Sequence, residues 1–231
     1  MAGVKYRGFD ERTELVRWGL PAVAFGIVLG GTLPGAIDGV ITAWQTNAAS
    51  LPWLFERLFA WMAYLAMAGS VIYGLLLSTK LLDAIAHRPV SFTLHQDLAM
   101  VGVGLAAVHG MLLMLDTKVP FSVAQILIPG LAPHAPLFVA FGQVALYLSI
   151  VVVGSFYVRR QIGQRAWRAL HYLTFLAFLG ATVHGIGAGT DTGASWAQWI
   201  YLGAGTMVWF LLVYRIGISI AARRLGMARI D

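Results

Sequence analysis

The sequence contains no cysteine. That absence excludes disulfide staples, thiolate-held iron–sulfur clusters and covalent haem attachment through a Cys-x-x-Cys-His run. Charge is the second scarcity. Only 11% of the 231 residues are Asp, Glu, Lys or Arg, against about 25% in an ordinary soluble domain. Hydrophobic residues make up 59%, and apolar runs of about 20 residues recur along nearly the whole length, which predicts a polytopic membrane protein in a lipid bilayer. The formal charge of +6 does not point to nucleic acid, because the basic residues sit in short loops between apolar runs, where they act as topology signals. The first apolar run is too long for a cleavable signal and reads as a retained helix.

The expected fold is all-α: a six-helix transmembrane bundle forming a single domain over residues 1–231, with spans near 15–44, 53–80, 94–116, 136–157, 167–187 and 196–220. Lipid leaves no partner for an unpaired backbone group, so a span must be a helix or part of a closed barrel. The long unbroken runs favour helices. Pro21 and Pro34 interrupt the first span and should bend it. The apolar loop 117–135 contains a Phe121–Ile128 run ending in Pro129-Gly130, which reads as a short interfacial helix.

Basic residues predict the orientation. Lys5, Arg7, Arg12 and Arg17 precede the first span. Lys80 and Arg88 lie between the second and third, Arg159, Arg160, Arg165 and Arg168 between the fourth and fifth, and Arg215, Arg223, Arg224 and Arg229 at or beyond the end of the sixth. Only Arg57 and Lys118 fall on the other side, so 14 of 16 basic residues share one side. The positive-inside rule then puts both termini in the cytoplasm, in a cell-membrane protein.

Four histidines stand inside the apolar spans: His95 and His109 in the third, His171 and His184 in the fifth. Ionisable groups inside hydrocarbon are costly and point to function. Both spans enter from the inside, which pairs His95 with His171 near the inner surface and His109 with His184 near the outer. At 1.5 Å per residue the two levels are about 20 Å apart. Neutral imidazoles are normal haem axial ligands, and two of them make a six-coordinate iron suited to electron transfer. Fourteen residues bring His95 and His109 to within about 40° of one another on an ideal helix, whereas thirteen leave His171 and His184 about 140° apart. That pair needs a tilt, kink or bulge, for which the neighbourhood of Gly180 is the candidate place.

Gly102, Gly104 and Gly110 flank the first two histidines, and Gly180, Gly185 and Gly187 flank His184, permitting the close approach of helices or a flat cofactor. Arg165 and Arg168, just before His171, are candidates to pair haem propionates. His87 and His134 lie in loops and read as solvated or interfacial groups, with His134 also a candidate to line an acceptor site. Asp97 and Asp116 read as interfacial caps, Asp38 as the outer end of the first span, and the tryptophans near span ends as interfacial anchors. The Gly185–Gly189 run mimics a nucleotide loop but follows a membrane helix rather than a strand, so it lacks the required context.

The histidine intervals, together with the string RQIGQRAWRALHYLTF from Arg160 to Phe175, resemble the ferric reductase transmembrane domain family, which includes NADPH oxidases and the haem subunit of the methionine sulfoxide reductase system. The resemblance covers the second to sixth spans. It implies two b-type haems between the third and fifth helices, with His95, His109, His171 and His184 as axial ligands, and transfer of electrons across the membrane. Large members of that family carry a flavin- and nicotinamide-binding domain after the sixth helix. Here about ten residues follow, so neither flavin nor nicotinamide is expected on this chain, and a redox partner protein or a membrane quinone is expected to complete the route. Cytochrome b of quinol-oxidising complexes is a second resemblance, with a longer second interval and quinone-site motifs that are not evident here. A structural or assembly subunit of a larger membrane complex is the alternative from a different class.

Overall fold

The computed structural model describes residues 51–81, 83, 87–116 and 119–224. The first predicted span, with Pro21, Pro34 and Asp38, lies outside the described residues. Contacts group the chain into residues 1–48 and 49–231, and every described residue belongs to the second group. The described elements are all helical: α1 (Leu51–Thr79), α2 (Arg88–Leu112) with a 3-10 turn at Leu113–Leu115, α3 (Val123–Leu127), α4 (Pro136–Tyr157), α5 (Arg159–His171), α6 (Leu173–Ala188) and α7 (Ser195–Arg224). Among the described residues, five helical stretches are long and apolar enough to cross a membrane: Leu51–Thr79, Arg88–Leu115, Pro136–Tyr157, Arg159–Ala188 and Ser195–Ala222. They correspond to the second to sixth predicted spans.

Two boundaries move. α2 begins at Arg88, under two turns earlier than the apolar pattern suggested, with Pro89 in its first turn, where the missing N–H costs nothing. The fifth span extends back to Arg159 through a polar, arginine-rich segment. Inside that segment Gly163 adopts φ 80°, ψ 157°, a conformation that only glycine takes without strain, and the chain changes direction there.

Antiparallel neighbours are visible in the side-chain contacts. On α1 and α2, Ser70 meets His95 and Glu56 meets His109. On α4 and α6, Phe138 meets His184 and Gly180 lies against Phe141 and Ala145. α7 runs parallel to α1. Their shared core holds Tyr64, Ala68, Val71 and Leu75 of α1, Val208 and Leu211 of α7, and Phe178 of α6.

The short α3 follows the predicted Phe121–Ile128 run closely. Ser122 and Gln125 form a capping box at its start. A five-residue helix leaves its last carbonyls without internal partners. Gln143 of α4 donates its Nε2–H groups to the Gln125 and Ile126 carbonyls, both at 2.7 Å, and Tyr147 donates to Leu127. These bonds fasten α3 across one end of the bundle.

Close approach of α1 and α2 depends on Gly102. A Cβ there would stand 3.3 Å from the Met67 nitrogen and 3.5 Å from the Ala63 carbonyl oxygen. Both are backbone atoms and cannot rotate away. Gly102→Leu should therefore force the helices apart and destabilise the fold by about 1–3 kcal/mol, the usual cost of overpacking. Thermal unfolding of the detergent-solubilised protein measures it, and an unchanged Tm would refute the role given to this glycine.

Candidate functional site

The bundle has a basic end, carrying Lys80, Arg88, Arg159 and Arg224, and a far end, carrying Arg57, Asp116 and Asp191. The four histidines converge in two pairs, as their intervals predict. The ring centroids of His95 and His171 are 6.0 Å apart, toward the basic end. Those of His109 and His184 are 6.2 Å apart, toward the far end. Within each pair the ring planes are steeply inclined, at 72° and 65°.

The stretch carrying His171 and His184 departs from a regular helix at Tyr172, between α5 and α6, whereas α6 runs unbroken past Gly180. α5 ends at His171, and the Phe175 N–H donates to the Tyr172 carbonyl at 3.2 Å, an i→i−3 bond. A 3-10 step turns about 120° per residue instead of about 100°. One such step closes about 20° of the 140° shortfall. Gly180 instead allows α6 to approach α4, where a Cβ would stand 3.2 Å from the Phe141 carbonyl oxygen.

Three of the rings are pinned through Nδ1. His95 Nδ1 is 2.8 Å from the Ser70 carbonyl oxygen and 3.1 Å from Ser70 Oγ. His109 Nδ1 is 3.1 Å from the Glu56 carbonyl oxygen and 3.0 Å from Glu56 Oε1. His184 Nδ1 is 3.0 Å from the Phe138 carbonyl oxygen. A carbonyl oxygen can only accept, so Nδ1 carries the hydrogen in each ring. Nε2 then keeps its lone pair, which is the tautomer of a metal-ligating imidazole. His171 is oriented differently, by the Trp167 ring stacked on it at 5.3 Å and 30°.

The spacing of the pairs has a chemical meaning. A metal–imidazole bond of about 2.0–2.1 Å on each side, plus about 1.1 Å from nitrogen to ring centre, separates two opposed axial rings by about 6.3 Å. Both pairs stand close to that value. Among the described residues there is no group of three or more His, Cys, Asp or Glu placed to hold a metal ion. Each pair brings together two imidazoles.

Glycines make room for the rings. A Cβ on Gly142 would lie 2.6 Å from His184 Cγ, and one on Gly74 would lie 3.0 Å from His95 Cε1. A cavity of about 440 Å³ opens beside the far-end pair, and Glu56, Tyr64, His109, Gln143 and His184 are among its lining residues. Its size falls in the usual range of cofactor and ligand pockets, about 300–1,000 Å³. His134 lines it as well.

At the far end Arg57 donates from Nε to Asp191 Oδ2 at 3.0 Å, and its second guanidinium nitrogen pairs with Oδ1. Trp61 Nε1–H donates to the same carboxylate at 3.0 Å, and Trp53 lies under the guanidinium. Tyr64 meets Thr182 Oγ1 at 3.2 Å. Because Thr182 gives its own hydrogen to the Phe178 carbonyl, Tyr64 is the donor. Two buried side-chain atoms have no partner among the described residues, Gln143 Oε1 and Trp167 Nε1.

Of the other residues singled out from sequence, Arg165 and Arg168 are exposed on α5, as are Asp97 on α2 and His87 just before it. Asp116 closes the 3-10 turn after α2. Sequence reasoning missed Glu56, Ser70, Gly74, Gly142 and Trp167. Glu56 and Arg57 stand inside an apolar span and carried the same warning of cost as the histidines. Comparison with family models, curated proteins and solved structures finds no match.

The Arg57–Asp191 pair closes α1 against the α6–α7 loop with side chains 27% and 14% exposed. Asp191→Ala should cost on the order of 3 kcal/mol, because it leaves a largely desolvated guanidinium without its carboxylate. A thermal shift comparable to that of the Arg57→Ala variant, with the double variant little worse than either, is the expected pattern. Additive losses would show that the two groups do not act as a pair.

Proposed function

We propose that this chain is the haem-binding membrane subunit of an electron-transfer system. It would carry electrons across a cell membrane between a cytoplasmic or quinol donor and an acceptor on the opposite side, in line with its resemblance to ferric reductase transmembrane domains. His95 and His171 would hold one b-type haem, and His109 and His184 the other. The observation that carries this reading is the convergence of four histidines into two pairs, three of their rings hydrogen-bonded through Nδ1 so that Nε2 is free to ligate.

Further observations favour haem over a bare ion. Each pair offers two donors, which is enough for the axial positions of a porphyrin iron and too few for an ordinary structural metal site. Gly74 and Gly142 keep side-chain atoms away from the rings. The unpartnered Trp167 Nε1–H next to His171 is a donor suited to an acidic group, and Arg165 and Arg168 lie on the same helix. Haem propionates would supply that acid. Bound haem would contribute one-electron chemistry. The chain's own residues orient the imidazoles, exclude water from them through α1, α4 and α6, and set the local charge. In this orientation the basic end faces the cytoplasm.

The purified protein should show a reducible b-type absorption spectrum with close to two haems per chain. His95→Ala or His171→Ala should remove one haem, and His109→Ala or His184→Ala the other. Gly142→Val should lower haem content with all four histidines in place, since its side chain would displace the His184 ring. Absence of a b-type signal, or an undiminished signal in His109→Ala and His184→Ala, would overturn the proposal.

A further inference from the structure

The two histidine pairs differ in what stands behind them. At the basic end His95 gives its Nδ1–H to the neutral Ser70 carbonyl. At the far end His109 shares its Nδ1–H between the Glu56 carbonyl and the Glu56 carboxylate, at 3.1 and 3.0 Å. Glu56 and His109 are both well covered, with side chains 14% and 17% exposed, so solvent screens their interaction little.

The charges around each pair reinforce the difference. At the far end Arg57 is engaged with Asp191 through both carboxylate oxygens. Arg57 also lies within electrostatic range of Glu56, but its close contacts are to Asp191, and one cation against the two carboxylates leaves a net negative charge. Asp116 lines the same cavity. At the basic end Arg215 of α7 lies within electrostatic range of His171, and Arg165 and Arg168 sit on α5, with exposed Asp97 on α2 as the opposing charge. Among the described residues, the far-end pair is thus backed by a carboxylate, and the basic-end pair has one guanidinium, that of Arg215, within electrostatic range.

Resting on the haem reading above, we infer that Glu56 is a positioning residue that acts through His109 to set the far-end iron at a lower reduction potential than the basic-end iron. A carboxylate on Nδ1–H increases the donor strength of Nε2 and favours the ferric state. A nearby guanidinium does the reverse, because it stabilises the added electron. Electrons therefore rest preferentially at the basic end. An electron at the far end is held as the stronger reductant, toward an acceptor at that face.

Potentiometric titration of the purified holoprotein at one fixed pH tests this. Two steps are expected, and His184→Ala should remove the lower-potential one. Glu56→Gln keeps the shape and an acceptor oxygen but removes the charge. It should retain two haems, move the far-end midpoint upward, leave the basic-end midpoint in place, and change only the far-end low-spin EPR signal. Two retained haems with unchanged midpoints and EPR would overturn the inference. So would a wild-type protein in which His184→Ala removes the higher-potential step, and that outcome needs no folded Glu56 variant. A wild-type protein without haem would instead overturn the function proposed above.

Discussion

The hydrogen bond from histidine Nδ1 to a carbonyl on the neighbouring antiparallel helix is the interaction on which the candidate site depends. Inside hydrocarbon an imidazole has no water to satisfy it, and a free N–H would cost several kcal/mol. The α1 and α4 backbones supply the acceptor for His95, His109 and His184. Helix carbonyls are normally taken by the i+4 N–H, but each oxygen has a second lone pair. The bond therefore needs no break in the helix that provides it. It does need the two backbones to approach closely, and that requirement accounts for Gly102 and Gly180, whose Cβ atoms would meet backbone atoms of the neighbouring helix.

Two close-packed units follow from this. α1 with α2 fixes His95 and His109, and α4 with α6 fixes His184. The ligands of each pair come from different units, so the distance within a pair is set by how the units dock rather than by any single helix. Leu75, 2% exposed, and the aromatic contacts of Tyr64 with Phe178 and Tyr201 lie between α1, α6 and α7. Changes there should alter ring spacing without touching a histidine.

The second to sixth spans were legible because length and apolar content are sufficient to recognise them. The 136–157 span falls on α4 residue for residue, while α2 and α5 begin earlier than their apolar runs, since a helix can continue through arginines at a membrane edge where hydropathy has already fallen. Pairing of the histidines was legible from order and interval. Their facing was not, because a periodicity of 3.6 residues assumes a regular helix and Tyr172 tightens it. Glu56 stood out as a charge inside an apolar span, but its partner did not, and Gly142 gave no signal. The importance of both lies in what touches them from another helix, and a single sequence carries no such contact.

Adjacent acidic and basic residues at 56 and 57 show why a local charge count misleads here. Consecutive positions on a helix point about 100° apart, so Glu56 turns to His109 on α2 while Arg57 turns to Asp191 beyond α6. In sequence they look like a neutral dipeptide. In the bundle they belong to separate networks, one closing the far end and the other backing an imidazole. Were Arg57 to pair with Glu56 instead, Asp191 and Trp61 would lose a shared partner and His109 would keep only the backbone carbonyl. The division of labour between these neighbours preserves an anionic partner for His109, which has no equivalent behind His95 among the described residues.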